Sequence, residues 1–225
     1  MYRSKTYPNH NYNNNQTQNN QNKRKYNEIE NSNYEEEEKR DKVMVVDNHI
    51  YFYSDVNTES ILELNRCIYK LNKDLLIFKN NSKIEYGLDV NDICIYLHIN
   101  SLGGYVTDAF SGVDTIIKSE IPIYSIVEGY AASAATFLSI VCKKRFMTRH
   151  STLLIHQLSG GYWGTYQQMN DDMLNNKYLQ KQIKKLYMEN SKGKIKKERL
   201  EELLKRDLML NFKKCKKMGL VDELV

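Results

Sequence analysis

Three short stretches carry residue types that can do nucleophilic chemistry. In Gly129-Tyr-Ala-Ala-Ser133-Ala-Ala135 a serine sits among small residues. An apolar β-like run, Ile121 to Val127, leads into it, and a helical run, Ala134 to Val141, leads out. Strand, tight turn and helix in that order expose the hydroxyl and leave free backbone N–H groups beside it. Upstream, Ile99-Asn-Ser101-Leu-Gly103-Gly104 closes another strand on two glycines, so backbone there can approach a substrate closely. Downstream, Leu154-Ile-His156-Gln157 puts a histidine at the end of a third strand. A serine hydroxyl is a poor nucleophile until a base takes its proton. Histidine titrates near neutrality, so it can take that proton and return it to a leaving group. Serine, histidine and a glycine-formed anion pocket are the parts of a serine hydrolase.

The elements that must position these residues read as an alternation of strands and helices. Val43–Val46 and Ile50–Tyr53 are short strands split by Asp47-Asn48. Asn57 caps a helix to about Lys73, with Ile61, Leu64, Ile68 and Leu71 on one face. Leu75–Phe78 reads as a short strand or a helix end, and Asn80–Asp92 as a polar loop. Ile93–Ile99 is apolar on both faces, as a strand inside a covered, largely parallel sheet must be. A helix over Tyr105–Ser119, the strand at 121–127 and the helix after Ser133 follow. Strands at Arg145–Thr148 and Thr152–Ile155 come next, then a loop or hairpin at Ser159–Gly164. A long helix spans Thr165 to about Asn190, and two shorter ones span 196–205 and 211–218. The pattern predicts an α/β fold with right-handed crossovers.

These motifs resemble the proteolytic subunit of the Clp protease (the ClpP family). The resemblance rests on Asn100-Ser101-x-Gly103-Gly104 before a helix, Gly129-x-Ala-Ala-Ser133, Ile155-His156-Gln157, Arg206-Asp207 and the closing Gly219-Leu-Val-Asp222. It covers Ile93–Val225 well, residues 43–92 loosely, and residues 1–42 not at all. It implies the ClpP/crotonase-like fold, a largely parallel sheet with crossover helices and a protruding handle helix at 165–190. It implies that Ser133 is the nucleophile, His156 the general base and Asp207 the carboxylate that orients the imidazole. The N–H groups of Gly104 and Ala134 would form the oxyanion hole. Gly103, Gly160 and Gly161 would line a cleft in which substrate lies as an added strand. The resemblance further implies a homo-oligomer, a heptameric ring of which two stack, degrading unfolded polypeptide delivered by a separate AAA+ unfoldase. No metal and no cofactor is expected. The chain has no GxxxxGK[ST] run with which to bind ATP itself. It departs from the family's pattern in having leucine at 102 and 158, alanine at 134 and lysine at 205.

Each assignment has a plainer rival. A serine among alanines is commonly a helix cap, and a lone histidine is commonly structural. Asp171, Asp172 and Glu198 are further acids in the region. His49, His98 and His150 take no catalytic role. A catalytically silent ring subunit is the alternative reading, and an acyl-CoA enzyme of the crotonase type is a remoter one. The complete Ser133, His156, Asp207 set favours an active serine endopeptidase.

Composition sets the bounds. Residues 1–42 contain an Asn/Gln tract, Lys23-Arg24-Lys25 and the acidic run Glu35–Glu38. Such a stretch cannot bury enough apolar surface to offset its ordering entropy and reads as a disordered tail. Residues 43–225 form the expected peptidase domain. Net charge is +5, but the lysines alternate with glutamates along helices, which points to solvated faces rather than a nucleic-acid stripe. The four cysteines form no CxxC pair and read as free thiols of a reducing compartment. No stretch approaches the ~20 apolar residues a membrane span needs. The expected setting is soluble and intracellular, the cytoplasm of a cell, or a host cytoplasm or virion should the source be viral.

Overall fold

The computed structural model describes residues 43–225; the tail expected at 1–42 lies outside them. Two short strands, β1 (Val43–Val46) and β2 (His49–Phe52), precede the long helix α1 (Thr58–Tyr86). β3 (Ile95–Ser101), α2 (Val106–Lys118), β4 (Ile123–Ala132), α3 (Ala135–Ile140), β5 (Lys144–Met147) and β6 (Thr152–Leu154) follow. The chain closes with α4 (Tyr166–Asn190), α5 (Lys197–Leu204), β7 (Met209–Leu210), α6 (Phe212–Met218) and β8 (Glu223–Leu224). The strands form one sheet in the order β1-β2-β3-β4-β5-β8, with β6 on β4 and β7 on β6. Among the described residues, only the β1–β2 and β6–β7 pairs are antiparallel. The architecture is therefore the largely parallel α/β fold that the strand patterning predicts.

One strand organises the rest. The first half of β4 pairs with β5 through Tyr124–Val127, and its last three residues pair with β6. Between the halves the register with β3 slips, from Ile99↔Val127 to Ser101↔Ala131. Four steps of β4 thus face two of β3, a bulge that re-aims the strand end. Gly129 takes the left-handed turn this requires, at φ +72°. Asn100 packs over it, so an added Cβ would lie 3.3 Å from the Asn100 amide nitrogen.

Helix α1 carries the expected buried stripe of Ile61, Leu64, Ile68 and Leu71. A capping box between Asn57 and Ser60 starts it. The helix does not stop near Lys73 but runs to Tyr86, where Gly87 closes it in the left-handed conformation and donates to Lys83 O. The short strand or helix end at 75–78 is mid-helix, and the polar loop begins only after Tyr86. Solvent on most sides of the last three turns explains their polarity. The four cysteines are free, three buried and Cys67 half-buried, as their spacing suggested.

The sheet face opposite the α1 contacts carries aromatic and histidine side chains. Register places His49 beside Tyr96 and Tyr51 beside His98. His49 Nδ1 and His98 Nε2 are 2.8 Å apart, and His98 Nδ1 lies 2.8 Å from Glu128 Oε1. A carboxylate only accepts, so His98 donates through Nδ1 and His49 donates to the His98 Nε2 lone pair. The Tyr53 hydroxyl donates to the other Glu128 oxygen. Burial, then the nearby His98, lower the His49 pKa below its ordinary value, against smaller opposing effects of Asp47 and Glu128. A histidine whose folded pKa is lowered stabilises the fold above its unfolded pKa of about 6.5, and that contribution fades as pH falls through 6.5. The contribution of this histidine to the thermal midpoint should therefore fall between pH 7 and pH 5. A His49→Phe chain, which cannot take up that proton, should show a flatter profile across the same window.

Candidate active site

Ser133 occupies the elbow between β4 and α3. Its φ is +51°, a left-handed conformation that costs a non-glycine residue roughly 1–2 kcal/mol. The surroundings enforce it. The Ser133 N–H donates to Leu154 O at 2.8 Å, and its carbonyl accepts from the Thr136 amide at 3.0 Å and the Thr136 hydroxyl at 2.6 Å. Ala131, Ala132, Ala134 and Ala135 around it are buried.

That turn is the glycine pair. An added Cβ at Gly103 would stand 2.6 Å from Ala132 O, 2.8 Å from Ser133 Cβ and 3.1 Å from Ala134 N. Gly103 (φ +96°) is thus seated directly against the elbow. Gly104 (φ +150°) lies closer still to Val56, across an isolated bridge closed by Val56 N–H to Gly103 O and Tyr105 N–H to Val56 O, each 2.8 Å. Gly103 N–H donates to Ser101 Oγ at 3.2 Å. Among the described residues, the turn and loop hydrogen bonds that occupy the amides of Gly103, Tyr105 and Ser133 leave those of Gly104 and Ala134 unused.

Strand pairing delivers the other two residues. Parallel pairing of Ala132 with Leu154 puts Ser133 one step, and His156 two steps, beyond the ends of neighbouring strands. Both are half-buried. Antiparallel pairing of Leu153 with Leu210 and Leu154 with Met209 runs β7 back alongside. The same register carried two residues further sets Asp207 across from His156. The chain has begun to leave the ladder there, since Gln157 N–H donates to Leu204 O at 2.6 Å. Asp207 is exposed, and it lies close enough to Tyr130 to help burial, the larger cause, raise that phenol's pKa. Among the described residues, the Ser133, His156 and Asp207 side chains make no hydrogen bond with one another. Strand pairing places the backbone of these three residues at or just past adjacent strand ends. Gly160 and Gly161 are exposed, with open space where a Cβ would be, in an irregular segment rather than a hairpin.

Two positioning residues escaped the sequence reading. The Thr136 hydroxyl gives its proton to Ser133 O, so the buried Tyr187 hydroxyl 2.5 Å away must donate to Thr136. Helix α4 is thereby tied to the elbow. Tyr187 shares the buried face of α4 with Ile183, and only the fold shows that it reaches Thr136. A Tyr187→Phe chain should lose about 1 kcal/mol of stability by thermal unfolding, the ordinary net worth of one buried hydrogen bond.

An α/β sheet that ends a strand on a left-handed serine, packed against a glycine turn, has the framework of a serine hydrolase. The model of the Clp protease family matches residues 69–225, and the chain belongs to that family. It is 35% identical over 135 residues to the ATP-dependent Clp protease proteolytic subunit of Streptococcus mutans, covering 58% of this chain and 68% of the relative. The solved structure of a ClpP1 mutant from Listeria monocytogenes aligns with a TM-score of 0.65 over 79% of this chain and 91% of that one. At 19% identity, what the two share is the fold. No helix among the described residues is long and apolar enough to cross a membrane.

Proposed function

We propose that this chain is a serine endopeptidase that cuts extended, unfolded polypeptide within a ring of its own copies. Ser133 attacks the scissile carbonyl, His156 takes its proton and returns it to the leaving amine, and Asp207 orients the imidazole and stabilises its charged form. The Gly104 and Ala134 N–H groups hold the developing oxyanion. The observation that carries this reading is the strained Ser133 backbone, pinned on both sides and packed against Gly103. A helix cap needs no such conformation. The substrate lies along the backbone of Gly103 on one side and Gly160-Gly161 on the other.

The ring reading draws on α4. Only Ile183 and Tyr187 of its 25 residues are buried, while Tyr166, Met169, Met173, Leu174 and Tyr178 stand exposed. That apolar stripe suits contact with a second copy and supports reading the assembly as a heptameric ring, stacked in pairs and served by a separate AAA+ unfoldase. Assembly would supply the packing that turns His156 and Asp207 into hydrogen-bonding reach. That the three side chains make no hydrogen bond with one another also favours a second reading, a silent subunit that builds the ring without cutting.

A fluorophosphonate probe separates them. On the assembled full chain the adduct should map to Ser133 by peptide mass analysis, and His156→Ala should slow labelling by about 10²-fold or more. An assembled chain that takes no label supports the silent subunit instead.

A further inference from the structure

Beside the histidine strand lies an open cavity of about 620 Å³, between α4, α5 and the segment that follows His156. Its charge is one-sided. Lys177, Lys181 and Lys184 line it at helical spacings of four and three residues, and Lys197 faces them from α5. The lining carboxylate, Glu201, pairs with Lys184 at 2.8 Å. Among the described residues, Lys177, Lys181 and Lys197 have no ion-pair partner. Leu158 N–H donates to Gln180 Oε1 at 2.8 Å, which fixes the cavity wall to backbone two residues past His156. Gly160, also in the lining, offers open backbone for strand-type pairing.

We propose that this cavity receives an acidic stretch of the substrate polypeptide and makes the cleft selective for it; the proposal rests on the peptidase reading above. Three like charges around one open space repel, and a bound anionic segment relieves that repulsion. The spacing selects a peptide rather than a single phosphate. Four helical residues rise about 6 Å, so the backbone anchors of Lys177 and Lys181 are offset along the groove by that amount. Alternate side chains of an extended chain lie about 6.7 Å apart on one face, so a Glu-x-Glu segment sets one carboxylate against each lysine.

The test is binding, which needs no turnover. The full chain carrying Ser133→Ala is titrated, by fluorescence anisotropy, with two labelled extended peptides that differ only in Glu-x-Glu against Gln-x-Gln. At low salt the acidic peptide should bind about tenfold tighter, shrinking to about twofold or less in 0.5 M NaCl. In Lys177→Glu/Lys181→Glu the advantage should vanish or reverse. In Lys181→Gln, an uncharged change at an exposed helix position, it should fall about threefold. Equal affinity for the two peptides, or no binding of either, overturns the proposal. So does an acidic preference that survives the lysine changes, or displacement by inorganic phosphate beyond that by NaCl of equal ionic strength, which would mark a general anion site. Failure of the peptidase reading would show separately, as an assembled wild-type chain without an adduct on Ser133.

Discussion

Under the proposed peptidase mechanism, a Gly103→Ala chain is expected to hydrolyse peptide at least about 10²-fold more slowly than the unmodified chain, the usual cost of losing one oxyanion donor. The new methyl would meet Ala132 O, Ser133 Cβ and Ala134 N, all at 3.1 Å or less. Two of these are backbone atoms and the third is bonded to backbone, so no side chain can swing aside. Nor can the elbow retreat, because Ser133 is held through its N–H by Leu154 and through its carbonyl by Thr136. The 103–104 turn must therefore move, and the Gly104 N–H moves with it. Gly193→Ala separates this collision from backbone strain alone. Gly193 is also left-handed, at φ +72°, but has open space around it. It should cost about 1 kcal/mol of stability without changing the rate of fluorophosphonate labelling. Equal labelling rates in the Gly103 and Gly193 variants would remove the glycine turn from the mechanism.

How legible this was in the sequence depended on how local each feature is. The α1 core stripe repeats at helical spacing, and all four of its expected members are buried. The Ser133 elbow was visible because small residues between an apolar strand and an apolar helix leave few other arrangements. The end of α1 was obscured by its own exposure: Asn80-Asn-Ser-Lys83 is as polar as a loop, and only the left-handed cap at Gly87 marks where the helix stops. In the sequence the apolar run of β4 breaks at Glu128-Gly129 and points to an end at Val127, whereas the structure absorbs both residues into a bulge and continues to Ala132. β7 and β8 have two residues each, too short for any period to register. The place of Asp207 depends on β7 pairing with β6, and the His49–His98–Glu128 chain depends on the register of three strands. Neither follows from spacing along the chain.

The largest loss of stability should come from Arg145, whose role also depends on contacts remote in sequence. Its guanidinium is 1% exposed, at the centre of the C-terminal half of the fold. Nε donates to Asp222 Oδ2 at 3.0 Å and Nη2 to Asp222 Oδ1 at 2.8 Å, a two-pronged pair. Nη1 donates to the carbonyls of Asn190 at 2.7 Å and Gly219 at 2.8 Å. One side chain thus joins β5, the end of α4, the end of α6 and the last turn before β8. Lys192 donates to the same Asp222 carboxylate at 2.7 Å. Arg145→Ala leaves two carbonyls without their donor and the Asp222 carboxylate with only Lys192 and one backbone N–H, and Asp222→Asn leaves a buried cation without its counter-charge. Each should cost about 3–5 kcal/mol, a fall of roughly 10 °C in thermal midpoint. Burial alone would raise the Asp222 pKa, but hydrogen bonds from Arg145 and Lys192, with their charges, outweigh it and hold the carboxyl at about 2. A carboxylate with a depressed folded pKa contributes stability that is full above its unfolded value near 3.8 and is lost as pH falls from there toward 2. Wild type should therefore lose stability steeply below pH 4, and Asp222→Asn, already without the charge, should lose less over that interval. Midpoints of the two chains that fall in parallel between pH 4 and pH 2.5 would mean that other carboxylates govern acid unfolding and that Arg145 is held chiefly by its carbonyls.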